Sequence, residues 1–373
     1  MAQNHDPFPG RKGRGVCAVC ERPHPLMAEA LGLCPTCARG GASLVAARDA
    51  HERARRRFGL PDEPPRAPAG VPCGHCSAEC VIAEGQRGYC GLRIVRDGRL
   101  EQLAGTPERG LAHWFRDPLP TRCFANWVCQ GGRQAGMHNL AVSYAGCTLD
   151  CLFCQNWSFR DVDPVRSGGI SASEVTAQGN ARTFCARLFG GDPAAQMPHA
   201  LAVGRGLAAK GIAVCWETAG TAGPLWMDQA AALSLESGGC VQFNLKARTE
   251  PLHVTLTGQG NRRVLENLTR LAERFGERPD PPLLVVGTLL VPGYVEAEEV
   301  SRIAAFVAGV NPRIPFTLRP FRPSFLMSDL PPTSVEHAGR AEEAAREAGL
   351  EFVHVTDRHL LGETYPEGVA NSA

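Results

Sequence analysis

The sequence predicts an α/β fold, a partial (β/α)6 barrel that follows an N-terminal cysteine-rich metal-binding module. From residue 138 onward, short apolar segments alternate with amphipathic ones, which is typical of repeated βα units and a parallel sheet. Polar and glycine-containing motifs follow several apolar segments, where α/β proteins build their sites. Closely spaced cysteine pairs occupy the first 90 residues. Six strand–helix pairs favour a partial barrel over a closed eightfold one.

The apolar and amphipathic periodicities assign the elements in chain order. The predicted strands are 140–144, 184–189, 213–217, 241–245, 283–290 and 316–320. The predicted helices are 172–182, 194–209, 225–236, 262–275, 296–308 and 334–348. A strand-like segment at 352–355 would cap or extend the sheet. We therefore expect four parts: a zinc-ribbon-like region with a basic helix (1–60), a second cysteine-rich module with a linker (61–137), the barrel (138–330), and a C-terminal helix and strand (331–373).

The composition is that of an ordinary globular protein, with 44% hydrophobic and 21% charged residues. A formal net charge of +1 gives no electrostatic case for a nucleic acid or membrane partner. No apolar run reaches the roughly 18 residues of a membrane span, and the polar N-terminus lacks a signal-peptide core. We therefore expect a cytoplasmic protein, in which sixteen cysteines indicate metal ligands more than disulfides.

The first cysteine group is a pair of CxxC motifs, and its members are Cys17, Cys20, Cys34 and Cys37. Four thiolates close a tetrahedral zinc shell, so the spacing favours a structural zinc site over a redox role. Residues 1–16 are polar and glycine-rich, which predicts disorder. Residues 43–58 are rich in alanine and arginine and predict a basic surface helix, and the prolines of 61–72 predict a linker.

A second group of four cysteines follows the linker: Cys73, Cys76, Cys80 and Cys90. Gly85 and Gly88 permit the tight turns around them. Four thiolates again close a site, and the spacing leaves zinc and an iron–sulfur cluster both open. A looser pair, Cys123 and Cys129, is explained either by two buried structural thiols or by a place near the substrate or in an accessory site.

The third group has three cysteines in the spacing CxxxCxxC: Cys147, Cys151 and Cys154. They follow the first predicted strand of the barrel, on the face that carries chemistry in α/β barrels. Three soft ligands leave one coordination position open, as in a site that performs chemistry. By spacing alone, a zinc knuckle or a disulfide with a spare thiol would also account for the motif.

This motif, with Phe153 just before its last cysteine, resembles the radical S-adenosylmethionine (SAM) superfamily. The resemblance implies that the three cysteines hold a 4Fe–4S cluster whose fourth iron is chelated by SAM. It further implies that an electron from the cluster cleaves SAM to methionine and a 5′-deoxyadenosyl radical. The block from Cys73 to Cys90 is similar to a segment upstream of the cluster motif in relatives of pyruvate formate-lyase-activating enzyme.

Two further motifs resemble the SAM-binding motifs of that family. Gly190, Gly191 and Asp192 follow the second strand and resemble the GGE motif that binds the SAM amino group, with aspartate in place of glutamate. Alone, this motif would be an ordinary strand-to-helix turn. Asn244 and Lys246 end the fourth strand and resemble a DxK motif whose lysine approaches the SAM carboxylate. The asparagine departs from the family carboxylate, so its contact is open.

Three more strand ends complete the resemblance. Leu290 and Val291 lie in a stretch similar to the strand that packs against adenine, and apolar side chains cover a purine face well. Glu217 ends the third strand, where the resemblance implies a ribose or substrate ligand; a capping carboxylate is the alternative. The segment 318–323 ends the sixth strand and should face the cleft.

These motifs keep the family order along the chain, which favours a radical SAM enzyme that abstracts hydrogen from a protein or small-molecule substrate. An electron donor such as flavodoxin or ferredoxin would be a partner. One alternative is an activating enzyme for a partner glycyl-radical enzyme. An alternative of another class is a zinc-dependent adaptor without catalysis, which the intact cysteine and Gly-Gly-Asp motifs disfavour.

Overall fold

The computed structural model describes residues 15–41, 44–121, 123–276 and 278–365. Most of the segment predicted to be disordered, residues 1–14, lies outside the described residues, as does Ser43 at the start of the predicted basic helix. Two helices and four short strands precede the main sheet. They are α1 (Pro35–Arg39), α2 (Leu44–Arg56), β1 (Val71–Pro72), β2 (Val81–Ile82), β3 (Arg93–Arg96) and β4 (Arg99–Gln102).

An eight-stranded sheet forms the centre of the chain. Its strands are β5 (Ala112–Pro118), β6 (His138–Tyr144), β7 (Thr183–Gly190), β8 (Ala213–Thr218), β9 (Val241–Asn244), β10 (Leu284–Leu290), β11 (Phe316–Pro320) and β12 (Val353–Val355). They neighbour one another in sequence order from β5 to β12. All pairs are parallel except β5 with β6.

Each predicted strand is present to within two residues, and β12 extends the sheet. The antiparallel β5 was not predicted, because its half-exposed pattern lacks the apolar run of the buried strands.

Helices connect the parallel strands. They are α3 (Ala172–Ala177), α4 (Met197–Ala208), α5 (Pro224–Ser237), α6 (Glu250–Thr257), α7 (Arg262–Phe275), α8 (Ala297–Val310) and α9 (Val335–Glu347). Short 3₁₀ helices occur at Gln130–Arg133, Trp157–Asp161, Pro193–Gln196, Phe325–Met327 and Arg358–Leu360. The helix predicted at 172–182 is shorter than expected, since Gly179 and Asn180 follow its last turn and favour a loop. Helix α6 was not predicted. Across the described ranges, no helix is long and apolar enough to cross a membrane.

The sheet is curved enough for strands far apart in its order to meet. Nη1 of Arg319 on β11 lies 3.3 Å from Oε1 of Glu217 on β8. The two strands are separated by β9 and β10, which would place them roughly 14 Å apart in a flat sheet. The interior of the curve therefore brings together side chains from several strands, as a barrel does.

The N-terminal cysteine-rich region packs over the carboxyl ends of the strands. The hydroxyl of Tyr294, which follows β10, accepts from Ala28 N at 3.1 Å and donates to Leu33 O at 2.7 Å. Ser77 N donates to Thr221 O at 2.8 Å, just beyond β8. We call residues 15–41 and 44–102 the cap. The cap therefore covers the end of the sheet where α/β proteins build their sites.

Residues 123–134, which we call the plug, fill the opposite end of the curved sheet. Thr317 on β11 donates its hydroxyl to Phe124 O at 3.0 Å, and Trp127 Nε1 donates to the same hydroxyl at 3.0 Å. A Cβ on Gly287 of β10 would lie 3.0 Å from the Phe124 ring, so this glycine admits the ring. The plug closes the amino end of the interior.

Candidate active site

Three cysteines stand on the loop that follows β6, beneath the cap. Cys147, Cys151 and Cys154 all line one cavity at the carboxyl ends of the strands. In the described chain, their sulfurs do not form a set with single-ion spacing, in which all ligand atoms lie within 4.8 Å of one another. The loop therefore presents three thiol groups to one cavity.

A buried ion network holds this loop in place. Asp150, between the first two cysteines, has its Oδ2 2.9 Å from Nδ1 of His51 and its Oδ1 3.1 Å from Nη2 of Arg160. Nη1 of Arg55 lies 3.7 Å from Oδ1. Burial alone would raise the pKa of Asp150, but His51, Arg160 and Arg55 outweigh it and hold the pKa at about 2. The carboxylate is therefore ionised and anchors the loop to α2 of the cap.

Burial disfavours the thiolate form of two cysteines of this loop. Burial raises the pKa of Cys147 well above its usual value, and it raises the pKa of Cys151 to about 12. Lys246 and Arg160 oppose that rise at Cys151. A metal centre must therefore displace protons from these thiols, and the two cations favour the thiolate form.

Glycines bring the end of β7 against the cysteine loop. A Cβ on Gly191 would lie 2.2 Å from the carbonyl oxygen of Gly146, directly before Cys147. Asp192 N donates to the same carbonyl at 3.0 Å. Gly190 has a φ of +113°, which L side chains rarely adopt. The Gly-Gly pair is thus required by the close approach of the two segments.

The Asp192 carboxylate links the ends of β7 and β8. Its Oδ1 accepts from Ala194 N at 2.8 Å and from the Thr218 hydroxyl at 2.7 Å, while its Oδ2 accepts from Ala219 N at 2.8 Å. Burial raises its pKa against these hydrogen bonds and nearby Lys246. A carboxylate has about four acceptor positions, so one remains for a ligand in the cavity that Asp192 lines.

Glu217 lies at the floor of the cavity among cationic groups. Its Oε1 is 3.3 Å from Arg319 Nη1 and accepts from Asn244 Nδ2 at 3.4 Å, and its Oε2 is 3.6 Å from Arg187 Nη1. Burial alone would raise the pKa of Glu217, but Arg319, Arg187 and Asn244 lower it overall. Arg187 was not predicted, although an arginine in the middle of a buried parallel strand is an available signal.

The structure brings together most of the predicted cofactor residues. Those that line the cavity are Cys147, Cys151, Phe153, Cys154, Gly190, Gly191, Asp192, Glu217, Asn244 and Lys246. Leu290 and Val291, predicted to cover adenine, are fully buried and are not among the described residues that line it. Leu289 lines it instead, because alternate side chains of β10 point to opposite faces. Arg319 also lines the cavity, whereas Arg322 is exposed.

The first cysteine group has the spacing of ligands to one metal ion. The sulfurs of Cys17, Cys20, Cys34 and Cys37 all lie within 4.8 Å of one another, and those of Cys20 and Cys34 are 3.8 Å apart. A tetrahedral ion with metal–sulfur bonds of about 2.3 Å would separate its sulfurs by about 3.8 Å. The group therefore fits a single four-coordinate ion.

The second cysteine group is more widely spaced, because single-ion spacing in the described chain is confined to the first group. Cys80 Sγ accepts from Tyr89 N at 3.4 Å, and Cys90 Sγ accepts from Arg93 Nη1 at 3.4 Å. The backbone of Cys73 donates to Cys80 O at 2.8 Å. Cys90 and Cys147 both line another cavity. The identity of a metal here stays a prediction.

Comparison with known proteins identifies the domain. Residues 142–307 match the family model described as the radical SAM superfamily. The chain therefore carries a radical SAM domain, and the predicted resemblance to that superfamily is confirmed. This class of domain implies a 4Fe–4S cluster and SAM as cofactors.

Two curated relatives and one solved structure illustrate the similarity. The isethionate sulfite-lyase activating enzyme of Oleidesulfovibrio alaskensis is 36% identical over 119 residues, 32% of this chain and 36% of that enzyme. The uncharacterized protein MJ0808 of Methanocaldococcus jannaschii is 24% identical over 302 residues, 76% of this chain and 80% of that protein. A domain of pyruvate-formate lyase-activating enzyme from Bacteroides vulgatus aligns with a TM-score of 0.36 and 19% identity, over 45% of this chain and 96% of that domain. The match to the isethionate sulfite-lyase activating enzyme covers 36% of that enzyme, so this chain spans little more than a third of that relative's length.

Proposed function

We propose that the protein is a radical SAM enzyme that takes hydrogen from a protein or small-molecule substrate. The observation that carries this proposal is the single cavity lined by the three cysteines, the Gly-Gly-Asp motif and Lys246. When bound there, the 4Fe–4S cluster and SAM would supply reductive cleavage to methionine and a 5′-deoxyadenosyl radical. The protein supplies the ligands, the orientation and the exclusion of water.

The charges of the cavity suit the methionine part of SAM, which is a zwitterion. Lys246 offers an ammonium to the carboxylate, and the free acceptor position of Asp192 offers a partner for the amino group. Gly190 and Gly191 allow a close approach of the backbone. Leu289 is available to cover the adenine in place of Leu290 and Val291.

The cap supports radical chemistry by its position. A reactive carbon radical must be kept from water and from side reactions. The cap lies over the carboxyl ends of β8 and β10 and clamps the cysteine loop through Asp150. We assign the Cys17 group a structural zinc ion and the Cys73 group zinc or an iron–sulfur cluster. Flavodoxin or ferredoxin is the proposed electron donor.

A second candidate is activation of a partner glycyl-radical enzyme. The 36% identity to the isethionate sulfite-lyase activating enzyme favours it, over 119 residues. Such a partner is a protein substrate whose backbone glycine must reach the cavity. An adaptor role without catalysis is disfavoured, because it would not require the three cysteines and Lys246 to share one cavity.

Anaerobic reconstitution with iron and sulfide, followed by an assay for 5′-deoxyadenosine from SAM and dithionite, tests the proposal. Wild-type protein should form it, and Cys151→Ala should not. Ser173→Ala, on the exposed side of α3, removes one polar atom away from the cavity and should retain the activity. Full SAM cleavage by Cys151→Ala would refute the assignment.

The transfer of deuterium from the substrate to 5′-deoxyadenosine distinguishes a protein substrate from a small-molecule substrate. A perdeuterated cell extract, split by size into proteins and small molecules, would be supplied to the reconstituted enzyme. If 5′-deoxyadenosine gains deuterium when the protein fraction is supplied, the substrate is a protein. If it gains deuterium when the small-molecule fraction is supplied, a glycyl-radical partner is excluded as the main hydrogen source.

A further inference from the structure

Five cysteines belong to none of the three predicted metal groups, and they lie together. Of sixteen cysteines in the chain, the three groups use all except Cys123, Cys129, Cys185, Cys215 and Cys240. The first two belong to the plug, and the others to β7, to β8 and to the residue before β9. Four separate segments thus deliver their remaining cysteines to the amino end of the curved sheet. We call this set the cysteine layer.

The register of the strands explains the convergence. Arg187 on β7 is the register partner of Cys215 on β8, and Glu217 is the partner of Gln242 on β9. Cys185 lies two residues before Arg187, and Cys240 lies two residues before Gln242. Because side chains alternate along a strand, these cysteines share the interior face with the cavity floor, one step closer to the plug.

Contacts and packing join three members of the layer. Cys123 Sγ donates to Gln242 Oε1 at 3.1 Å, and Gln242 Nε2 donates to Cys240 Sγ at 3.5 Å. Cys215 and Cys240 belong to one buried cluster with Phe124, and Cys123 packs against that cluster. Cys185 lies on β7, which neighbours the strand that carries Cys215. One amide side chain therefore bridges the plug to the strands through two sulfurs.

The cysteine layer has arginines nearby and is partly accessible to solvent. Arg187 is 8% exposed and is the register partner of Cys215, and Arg278 donates to the carbonyl of Gly239, directly before Cys240. Cys123, Cys129 and Cys185 keep partial exposure, whereas Cys215 and Cys240 are buried. Thiolates bound to a metal carry net negative charge, which these arginines would balance.

We propose that the cysteine layer binds a thiolate-ligated metal centre, distinct from the one at Cys147, Cys151 and Cys154. Thiolates select iron–sulfur clusters, zinc or copper(I). The proposal does not depend on SAM cleavage, because the layer lies beneath the cavity floor and its metal content is measurable without activity.

The test measures metal in full-length protein reconstituted anaerobically, with iron and sulfide in one arm and with zinc in the other. The double variant C215A/C240A should lose the metal of one centre relative to wild type: about two to four irons with equal sulfide for a cluster, or one zinc for a single ion. Val285→Ala, in the same apolar cluster, creates a similar void without removing sulfur and should keep wild-type metal. Equal metal in wild type and the double variant would overturn the proposal.

Alkylation of wild-type protein gives a second measurement if the double variant fails to fold. Iodoacetamide should leave Cys123, Cys129 and Cys185 unmodified in the metal-loaded protein and should label them after chelation, as read by peptide mass spectrometry. Equal labelling before and after chelation would contradict a metal centre. A Cys215–Cys240 disulfide in anaerobically isolated protein would contradict it as well.

Discussion

His51 and Asp150 join the cap to the loop that carries the three cysteines, with Nδ1 of one 2.9 Å from Oδ2 of the other and both side chains buried. His51 also lies 3.1 Å from Thr255 O through Nε2, so both ring nitrogens face acceptors. Through this contact, helix α2 of the cap holds the loop that carries the three cysteines, although His51 and Asp150 are 99 residues apart in the sequence.

Replacing Asp150 should therefore damage both stability and metal binding. Asp150→Asn leaves Arg160 and Arg55 buried without their anion, and breaking a buried ion network costs about 3–5 kcal/mol. Chemical denaturation and iron content are the measurements. Asp49→Asn on the exposed side of α2 is the matched control and should change stability by less than about 0.5 kcal/mol. Equal stability of the two variants would show that the network does not anchor the loop.

Removing Lys246 should weaken SAM binding and leave the cluster in place. Lys246→Met loses a charge-assisted contact to the SAM carboxylate, on the order of 1.5–3 kcal/mol or roughly 10- to 150-fold in affinity. Isothermal titration with SAM, with the EPR spectrum of the reduced cluster, measures both effects. Lys210→Met removes an ammonium that donates to the carbonyls of Thr176 and Gly179 far from the cavity. If Lys246→Met and Lys210→Met bound SAM equally well, Lys246 would not be a SAM ligand.

A side chain at Gly191 should displace the cysteine loop. Gly191→Ala places a methyl group where the Gly146 carbonyl stands, so the backbone before Cys147 must move. We expect iron incorporation to fall several-fold. Gly168→Ala is the control, since no heavy atom lies within 4 Å of its Cβ position. Normal iron content in Gly191→Ala would mean that the loop tolerates the shift.

The ion pairs of Glu217 should make stability depend on pH in the acid range. Its pKa is lowered in the folded state, so its contribution is present above the unfolded value of about 4.3 and is lost as pH falls through the folded value. At pH 7, Glu217→Gln should be about 3–5 kcal/mol less stable than wild type, and the difference should shrink toward pH 3. Denaturation at several pH values measures this, with exposed Glu236→Gln as control. A difference independent of pH would contradict the ion-pair interpretation.

Loss of the first metal group should weaken the docking of the cap. Cys37→Ser removes one of four ligands, so one zinc per chain should be lost and the free energy of unfolding should fall. Limited proteolysis should then cleave near Leu33, whose carbonyl binds Tyr294. Ser77→Ala in the cap keeps all four cysteines and should retain zinc. Unchanged zinc content in Cys37→Ser would remove the group from the list of metal sites.

The strands of the barrel were predictable because they are largely buried and their sequences are mainly apolar. Because these strands are largely buried, their sequences do not indicate which side chains face the cavity. Leu289, and not Leu290, lies beside Arg319 across the strand pair, and an apolar run carries no sign of that alternation. Asp150 was not predicted either, because its partners His51 and Arg55 come from a helix distant in sequence. The motif residues were expected at one edge because the ends of parallel strands meet there, and most of them line one cavity; their roles stay predictions.

The cap's contact with Tyr294 also has a consequence for synthesis on the ribosome. Ala28 precedes its hydrogen-bond partner Tyr294 by 266 residues, a delay of roughly 10–50 s at ordinary elongation rates. During that time the Cys17 group is complete and accessible, so its ion has time to bind before the surface on which it docks exists. The loop of Cys147 gains a contact as late as Leu326, whose N donates to Leu152 O at 3.0 Å, so an iron–sulfur cluster would be inserted near the end of the folding sequence.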